Sequence, residues 1–448
     1  MHHHNFAVSA AMRRKYPFMS LISPLAGVVG SVYPLEPQEL HVPRFPAVLS
    51  SLGNLSMPYP HIIDNLGNDL QTIALAGCGA DEQVDMAIVR SVAEAAERYA
   101  TCVYHPQDVT VTSFRELGAE GVAANTLPCC SEQELADPLC PVKPIDDSQP
   151  LRWVEGYSLT ADRPRKVPLI MSHLYVRPWE SELFWLPIST GVAAHTDLTM
   201  ATVTAINEII ERDAIALTWL LQMPLPRIRF DQPVPDRLQD KFSRLATSGL
   251  EQLFFDATTD VGVPTIYGLQ LRPGHPTSAQ FVNCSTSFDP WDSCGKIIRE
   301  SAMGRSVLEH QISVPQDMRD FIALEHGAVF MGRAEQRPAF DFLTNSREEV
   351  AISQLQADLA HQPAAQLKQL VARFRQLGMD VVIVDMTTDD LREAGLHVVR
   401  AVIPELLPMT PSYRARYLGH PRLLQQRQQL SEQTGHKVTI NPWPQPFA

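Results

Sequence analysis

The sequence predicts a mixed α/β (α+β) fold on two observations: long runs with apolar residues three and four apart, at Asp81 to Ala100 and Thr196 to Leu221, and short branched runs such as Val381-Val382-Ile383-Val384 between helical ones. Gly77-Cys78-Gly79 reads as a glycine turn ahead of the first helix, whose free first amides can hold an anion. Asp81 is expected to cap that helix, and Ile88, Val92, Ala95, Ala96 and Tyr99 form its apolar stripe. Val167 to Val176 and Gly262 to Leu271 read as strands, rich in branched residues and punctuated by proline or glycine. The second long helix starts near Thr196 or Asp197. Ala364 to Leu377 is a helix stopped by Gly378, a buried strand follows at once, and Val398 to Ile403 repeats the strand signal. Prolines cluster at Pro34 to Pro60, at Pro128 to Pro150 and at the chain end, which read as loops or extended connections.

With 448 residues, 45% apolar and 19% charged, the chain can bury a sizeable core as one large domain or two ordinary ones. Fifty acidic residues against thirty-seven basic ones leave a net charge of −13, which argues against nucleic acid or a membrane surface as the main partner. The seven cysteines are odd in number and lack paired CxxC spacing, so a reducing, cytoplasmic setting is expected, without a disulfide framework or structural zinc. His2 to His4, tag or native, are set aside. Phe18 to Val32 superficially resembles a secretory signal, but Pro24, Gly27 and Gly30 interrupt it, and no run reaches the roughly twenty apolar residues of a membrane span. No GxxxxGK occurs and no GxGxxG follows a strand, so a nucleotide would be held by another device.

A local repetition suggests that device. Glu94-Ala-Ala-Glu97-Arg98 and Glu208-Ile-Ile-Glu211-Arg212 are two copies of ExxER, each placing two carboxylates on one helix face with an arginine one turn past the first. As surface pairs, Glu94 with Arg98 and Glu208 with Arg212 are worth about 0.3 kcal/mol each. That plain explanation remains open for the first copy, whose glutamates lie opposite the Ile88/Val92/Tyr99 stripe. The second copy sits on a helix covered on most of its circumference, where carboxylates need a cation or a hydrogen-bonded partner. Magnesium is such a cation, a hard ion that joins glutamates to a polyphosphate chain. Lys296 and Glu300, four apart, complete the set: Glu94, Glu97, Glu208, Glu211 and Glu300 as metal ligands, with Lys296, Arg98 and Arg212 neutralising phosphate oxygens or orienting the carboxylates.

The ordered set resembles the YcaO superfamily of ATP-dependent enzymes that activate backbone amides. The resemblance runs from about Ile73 to Ile403 through the glycine turn, Glu94 to Tyr99, Trp153 to Leu159, Ser189 to Ala194, Glu208 to Ala214, Lys296 with Glu300, and Val398 to Pro404; Gly419 to Leu423 is similar too. It implies a YcaO-type fold of mixed sheets packed by helices around a central ATP and magnesium site. It places an N-terminal extension and the start of the domain at 1–65, the catalytic domain at 66–425 and a tail at 426–448. It further implies that a cysteine, serine or threonine of a substrate peptide attacks the preceding carbonyl, whose oxygen takes the γ-phosphoryl group and leaves as phosphate. The chain departs from the family pattern at Cys78, at Arg90 with Ser91 displaced by one, at Thr196 and at Met303; Ser91 and Thr196 are still carried as nucleotide-contact candidates.

The end of the chain, Pro442-Trp-Pro444-Gln-Pro446-Phe-Ala448, is similar to the PxPxP tail of the azoline-forming branch, which enters the active site. Prolines make a stiff extended rod, so Pro442, Pro444 and Pro446 can deliver the carboxylate of Ala448 to a cleft. The resemblance therefore implies a cyclodehydratase subunit acting on a ribosomal precursor peptide. A separate E1-like or leader-recognition protein and a flavin (FMN) dehydrogenase are the expected partners, in a homo-oligomer or hetero-complex. Thioamide or amidine formation and a non-catalytic ATP-binding scaffold are the alternatives.

Overall fold

A computed structural model describes residues 8–23, 25, 27–35, 43–52, 55, 75–309, 312–355 and 361–447; His2 to His4, Pro24, Ile73 and Ala448 lie outside them. Strands β1 (Ser31–Leu35), β2 (Ala47–Ser51) and β3 (Ala76–Ala80) form an antiparallel sheet in that order, packed by helix α1 (Val84–Cys102). Next come β4 (Thr110–Ser113), β5 (Pro150–Val154), β6 (Tyr157–Ser158), β7 (Arg163–Pro164), β8 (Val167–Pro168) and β9 (Val192–His195). Helix α2 (Leu198–Leu221) is followed by β10 (Arg227–Arg229), α3 (Gln239–Ser248), β11 (Glu251–Asp256), β12 (Thr265–Leu271), β13 (Gln280–Thr286), α4 (Pro290–Glu309), α5 (Leu324–Gly332) and β14 (Glu349–Ala351). The last elements are α6 (Pro363–Leu377), β15 (Val382–Asp385), β16 (His397–Val402) and α7 (Pro421–Thr434). The three later sheets run β4-β5-β8, β13-β12-β11-β10-β14 and β7-β6-β15-β16-β9. Strands β3, β9 and β13 are thus all sheet edges.

Helix α2 is the hub. Ile206 and Ile210 pack with Phe374 and Val399, Ile215 and Trp219 with Tyr267 and Leu269, and Leu217, Leu220 and Leu221 join the core shared with α1. Each fully buried isoleucine stabilises this arrangement by about 2 kcal/mol, so the helix axis is held from three sides. Asp197 caps it, accepting from the Met200 N–H at 2.8 Å. Gly378 ends α6 in the left-handed conformation at φ 69°, as the sequence suggests.

Four local expectations change. Gly77-Cys78-Gly79 is a strand rather than a turn, because β3 presses against α1: a Cβ on Gly77 would lie 2.0 Å from the Ser91 carbonyl oxygen and one on Gly79 2.2 Å from that of Ala87. The cap position of α1 is Gln83; Asp81 instead pairs with Arg90 at 2.9 Å. Val167 to Val176 is strand only over Val167–Pro168, after which Leu169–Ser172 turns helical with all four residues buried. The signal-like run near the start folds into short helical turns whose Phe18, Met19 and Leu21 enter the main core. Within the proline-rich stretches, β1 and β2 form, and Ser131 closes a capping box on the short helix Glu132–Leu135. Among the described residues no helix is long and apolar enough to cross a membrane.

Candidate functional site

Where β3, β9 and β13 turn their edges toward one another, α1, α2 and α4 close over them, and the predicted glutamates converge there. An edge strand carries N–H groups with no strand partner, and each such group needs an acceptor. The glutamates supply it. Glu94 Oε2 accepts from the Cys78 N–H of β3 at 2.8 Å, and Glu97 Oε1 from the Ala194 N–H of β9 at 2.7 Å. Glu208 Oε2 accepts from the Gly191 N–H just before β9 at 2.9 Å, and Glu211 Oε2 from the Thr286 N–H at the end of β13 at 3.2 Å. One oxygen of each carboxylate is thereby tied to a sheet edge, and rotamer freedom is spent on folding rather than on binding.

Cations hold the set. Arg98 bonds Glu94 Oε1 at 3.0 Å, and Arg212 bonds Glu208 Oε1 at 3.2 Å and reaches Glu211 Oε1 at 3.6 Å. Lys296 lies 3.4 Å from Glu211 and 4.0 Å from Glu300, which Arg299 also pairs at 3.2 Å. Burial pushes the Glu97 carboxyl up to about 8, with the Glu94 charge adding to it and Arg98 opposing. Burial likewise raises Glu211 against the pull of Lys296 and Arg212. At Glu300 burial acts upward too, but Lys296 and Arg299 together hold it below the ordinary range. Burial works against the charge on Lys296, yet Glu211 and Glu300 keep it protonated well above neutrality. Like charges crowded until two of them resist ionising are the condition a divalent cation relieves, and an oxygen-only set of carboxylates fits magnesium.

The five carboxylates and Lys296 line one cleft of about 750 Å³. Around them stand Asn207, Thr286, Ser287 and Arg299, none singled out from the sequence; Thr286 and Ser287 close a strand and Arg299 abuts a charged pair, so ordinary helix and strand text hides them. The outer end carries Arg237, Lys241, Asp289, Asp292 and His361. Ligand atoms of Asp289, Asp292 and His361 come within 4.8 Å of one another, but Arg237 pairs with both aspartates and already supplies the positive charge.

Two expected contacts are corrected. Ser91 is buried away from the cleft, its Oγ 2.8 Å from Ser50 Oγ and 3.0 Å from the Ile88 carbonyl, and it is the neighbouring Arg90 that lines the cavity. Thr196 is exposed ahead of α2 and outside the lining, where Met200 stands instead. Arg98 and Arg212 stand behind the lining of the cleft with their guanidinium groups engaged by the glutamates, which leaves them the orienting part of their expected role. The first ExxER copy is no plain surface pair, since Glu94 and Glu97 both face the cavity. Cys78, at the floor, rests its thiol 3.2 Å from Met303 Sδ.

The proline tail seats against the far side of α2. Pro442 accepts from the Tyr413 hydroxyl and Trp443 from Trp219 Nε1 at 3.2 Å. Between Pro444 and Pro446 the backbone crosses α5 so closely that a Cβ on Gly327 would lie 2.0 Å from the Gln445 carbonyl oxygen. Phe447 is buried edge-on against Tyr267, ring centroids 5.4 Å apart. Tyr267 stands across the strand pair from Cys284, whose thiol burial raises and the Glu211 charge raises further. The last described residue of the tail therefore shares a core cluster with Tyr267 and Cys284; Ala448 lies outside the described residues.

Comparison with known proteins adds the family. A family model described as YcaO cyclodehydratase, ATP- and Mg²⁺-binding, matches residues 76–407. A heterocyclase solved in complex with substrate and cofactor superposes with a TM-score of 0.75 at 18% identity, over 99% of this chain and 59% of that one, so the present chain spans little more than half of that heterocyclase. YcaO from Methanopyrus kandleri, bound with AMPPCP and Mg²⁺, gives 0.60 at 16% identity over 89% of this chain and 88% of that one. The E. coli microcin synthetase McbBCD complex gives 0.59 at 10% identity over 86% and 90%. At these identities the likeness is one of fold: mixed sheets packed by helices.

Proposed function

Since this chain belongs to the YcaO family, whose model spans residues 76–407, we propose that it is the ATP- and magnesium-dependent cyclodehydratase subunit of an azole-forming peptide synthetase. The observation that carries this reading is the convergence of Glu94, Glu97, Glu208, Glu211 and Glu300 in one cleft, four of them tied to the edges of three sheets. These five carboxylates would hold magnesium, which would supply positive charge to phosphate oxygens. Lys296, protonated and on the cleft wall, would neutralise phosphate oxygens there, while Arg98 and Arg212 fix the carboxylates. The outer end, with Arg237, Lys241 and Gln366, takes the nucleoside.

The chemistry balances as peptide plus ATP giving azoline peptide, ADP and phosphate. A side-chain sulfur or oxygen of the peptide gives up its proton as it bonds to the preceding carbonyl carbon, and the carbonyl oxygen takes the terminal phosphoryl group of ATP as its bond to ADP breaks. The C–O bond then breaks, phosphate carries that oxygen away, and a C=N bond forms as the amide proton leaves. Phosphorylation makes a poor leaving group a good one, and preorganised charge is the protein's contribution. Trp219 and Tyr267 seat the tail, and the carboxylate of Ala448 is proposed to enter this centre. The precursor peptide comes from a leader-recognition or E1-like partner, and a flavin dehydrogenase oxidises the product; the likeness to a synthetase complex and to a substrate-bound heterocyclase supports both the peptide and the assembly.

Mass spectrometry of a precursor peptide co-expressed with this chain and its partner tests the proposal. Loss of one water per ring, dependent on ATP and magnesium, is expected; an unaltered peptide, or a gain in mass, removes the azoline reading.

A further inference from the structure

Most cations around the cleft answer to a carboxylate: Arg98 to Glu94, Arg212 to Glu208, Lys296 to Glu211, Arg299 to Glu300, Arg90 to Asp81, Arg237 to Asp289 and Lys241 to Glu82. Arg400 is different. It lies on β16, is 3% exposed, and among the described residues has no carboxylate within ion-pair distance. Among the described residues one hydrogen bond holds it, Nη1 to the Ile188 carbonyl at 2.9 Å, and its buried Nε has no partner. A guanidinium carries five donors, and burying one with so few acceptors is costly. A core arginine that served only the fold would be expected to have its fork filled, as Arg422 has with Asp213 and Asp260 and Arg152 with Glu182.

Its position gives the unfilled fork a use. Arg400 is the cross-strand partner of Val192, and Val192 lines the cleft at its carboxylate end. The two side chains leave the same face of the β9–β16 pair, so the guanidinium stands beside the cleft floor, close enough to feel the charges of Glu208 and Arg98. It stands behind the lining at Val192, whereas Arg237 and Lys241 are themselves part of the lining. We infer that Arg400 is an anion-binding residue of the reaction centre, and that its unfilled N–H groups receive the terminal phosphoryl oxygens of a bound nucleoside triphosphate. This inference rests on reading the cleft as a nucleotide site. Its chemical sense is that the transferred group gains an arginine fork at the moment its oxygens spread their charge, whereas a diphosphate does not reach the fork.

The test compares the affinity of the full chain for magnesium with ADP and for magnesium with a non-hydrolysable ATP analogue, by calorimetry. In wild type the analogue binds more tightly. Arg400→Gln is expected to weaken the analogue about tenfold while leaving ADP nearly unchanged, the loss of one charge-assisted fork. Arg400→Lys, which keeps charge but not the fork, is expected to fall between. Without nucleotide, Arg400→Gln is expected to unfold at the same temperature as wild type or higher, because it removes a poorly matched buried charge. Equal loss for both nucleotides, an unchanged preference for the analogue, or a strongly lowered unfolding temperature each overturns the assignment. A wild-type chain that binds neither nucleotide overturns the nucleotide reading of the cleft itself, a result distinct from any failure of Arg400.

Discussion

The two ExxER segments have the same spelling and opposite surroundings. On α1, Glu94 and Glu97 share the single cation Arg98, and Glu94 keeps 32% of its side chain exposed. On α2, Glu208 and Glu211 share Arg212, Lys296 joins from α4, and the Glu211 side chain is 4% exposed. The consequence appears in Glu97, pushed up to about 8 with one arginine to oppose burial, while Glu211 is restrained by two cations. The same charged pattern thus yields one half-site that waits for a metal and one that is partly neutralised in advance.

The comparison can be broken most sharply by removing a carboxylate from the second copy. Glu211→Gln and Glu208→Gln should lower magnesium-dependent ATP turnover by about a thousandfold or more while the chain stays folded, the scale of losing preorganised charge at phosphoryl transfer. Wild-type turnover in either variant would remove the metal assignment. Trimming Pro442 to Ala448 acts on the α2 side alone, where Trp219 and Tyr267 receive the tail. Peptide cyclisation should then fall about a hundredfold, with nucleotide affinity changed far less; equal losses in both would make the tail a structural strap only.

Stability measurements sharpen the contrast further. In chelator, Glu97→Gln should unfold at a higher temperature than wild type above neutral pH, because it deletes a carboxylate that burial and Glu94 oppose. Glu211→Gln should unfold lower, since it takes from both Lys296 and Arg212 one of their two carboxylate partners and leaves only Glu300 and Glu208 to hold them. Shifts of the same sign in both would erase the distinction between the copies.

The smallest effect is the pH dependence. An ordinary glutamate loses its proton near 4.5, and the folded chain keeps that of Glu97 to about 8. The folded state therefore binds more protons across that window, and metal-free stability falls as pH rises from about 4.5 to about 8. Magnesium must displace the proton, so its affinity should rise up to about tenfold per pH unit within the upper part of that window. Flat magnesium affinity between pH 6 and pH 8, read by titration calorimetry, would show about no proton release and place Glu97 outside the metal set.

Much of this was legible along the chain. The spacing of Glu94 with Glu97 and of Glu208 with Glu211 is a property of one helix turn, and neither copy needed tertiary information to be seen as a carboxylate pair. The stop at Gly378 and the strands after it were equally local. Ser91 was misplaced for the opposite reason: neighbouring positions on a helix point in different directions, and only the packing of α1 on β2 and β3 shows that Arg90 faces the cleft while Ser91 faces Ser50. Arg400 sat inside the Val398 to Pro404 stretch of the resemblance, but nothing in its neighbours announces a buried cation with an open fork.

From the sequence alone came the ingredients: which turns carry two acids, which segments alternate, and which end is stiffened by proline. Tertiary structure decided their assembly, since the amides of Cys78, Ala194 and Thr286 that tie down the glutamates come from three different sheet edges. The physical reason is that helical periodicity repeats within a few residues, whereas an edge N–H finds its acceptor only once strands far apart in the chain have chosen their neighbours.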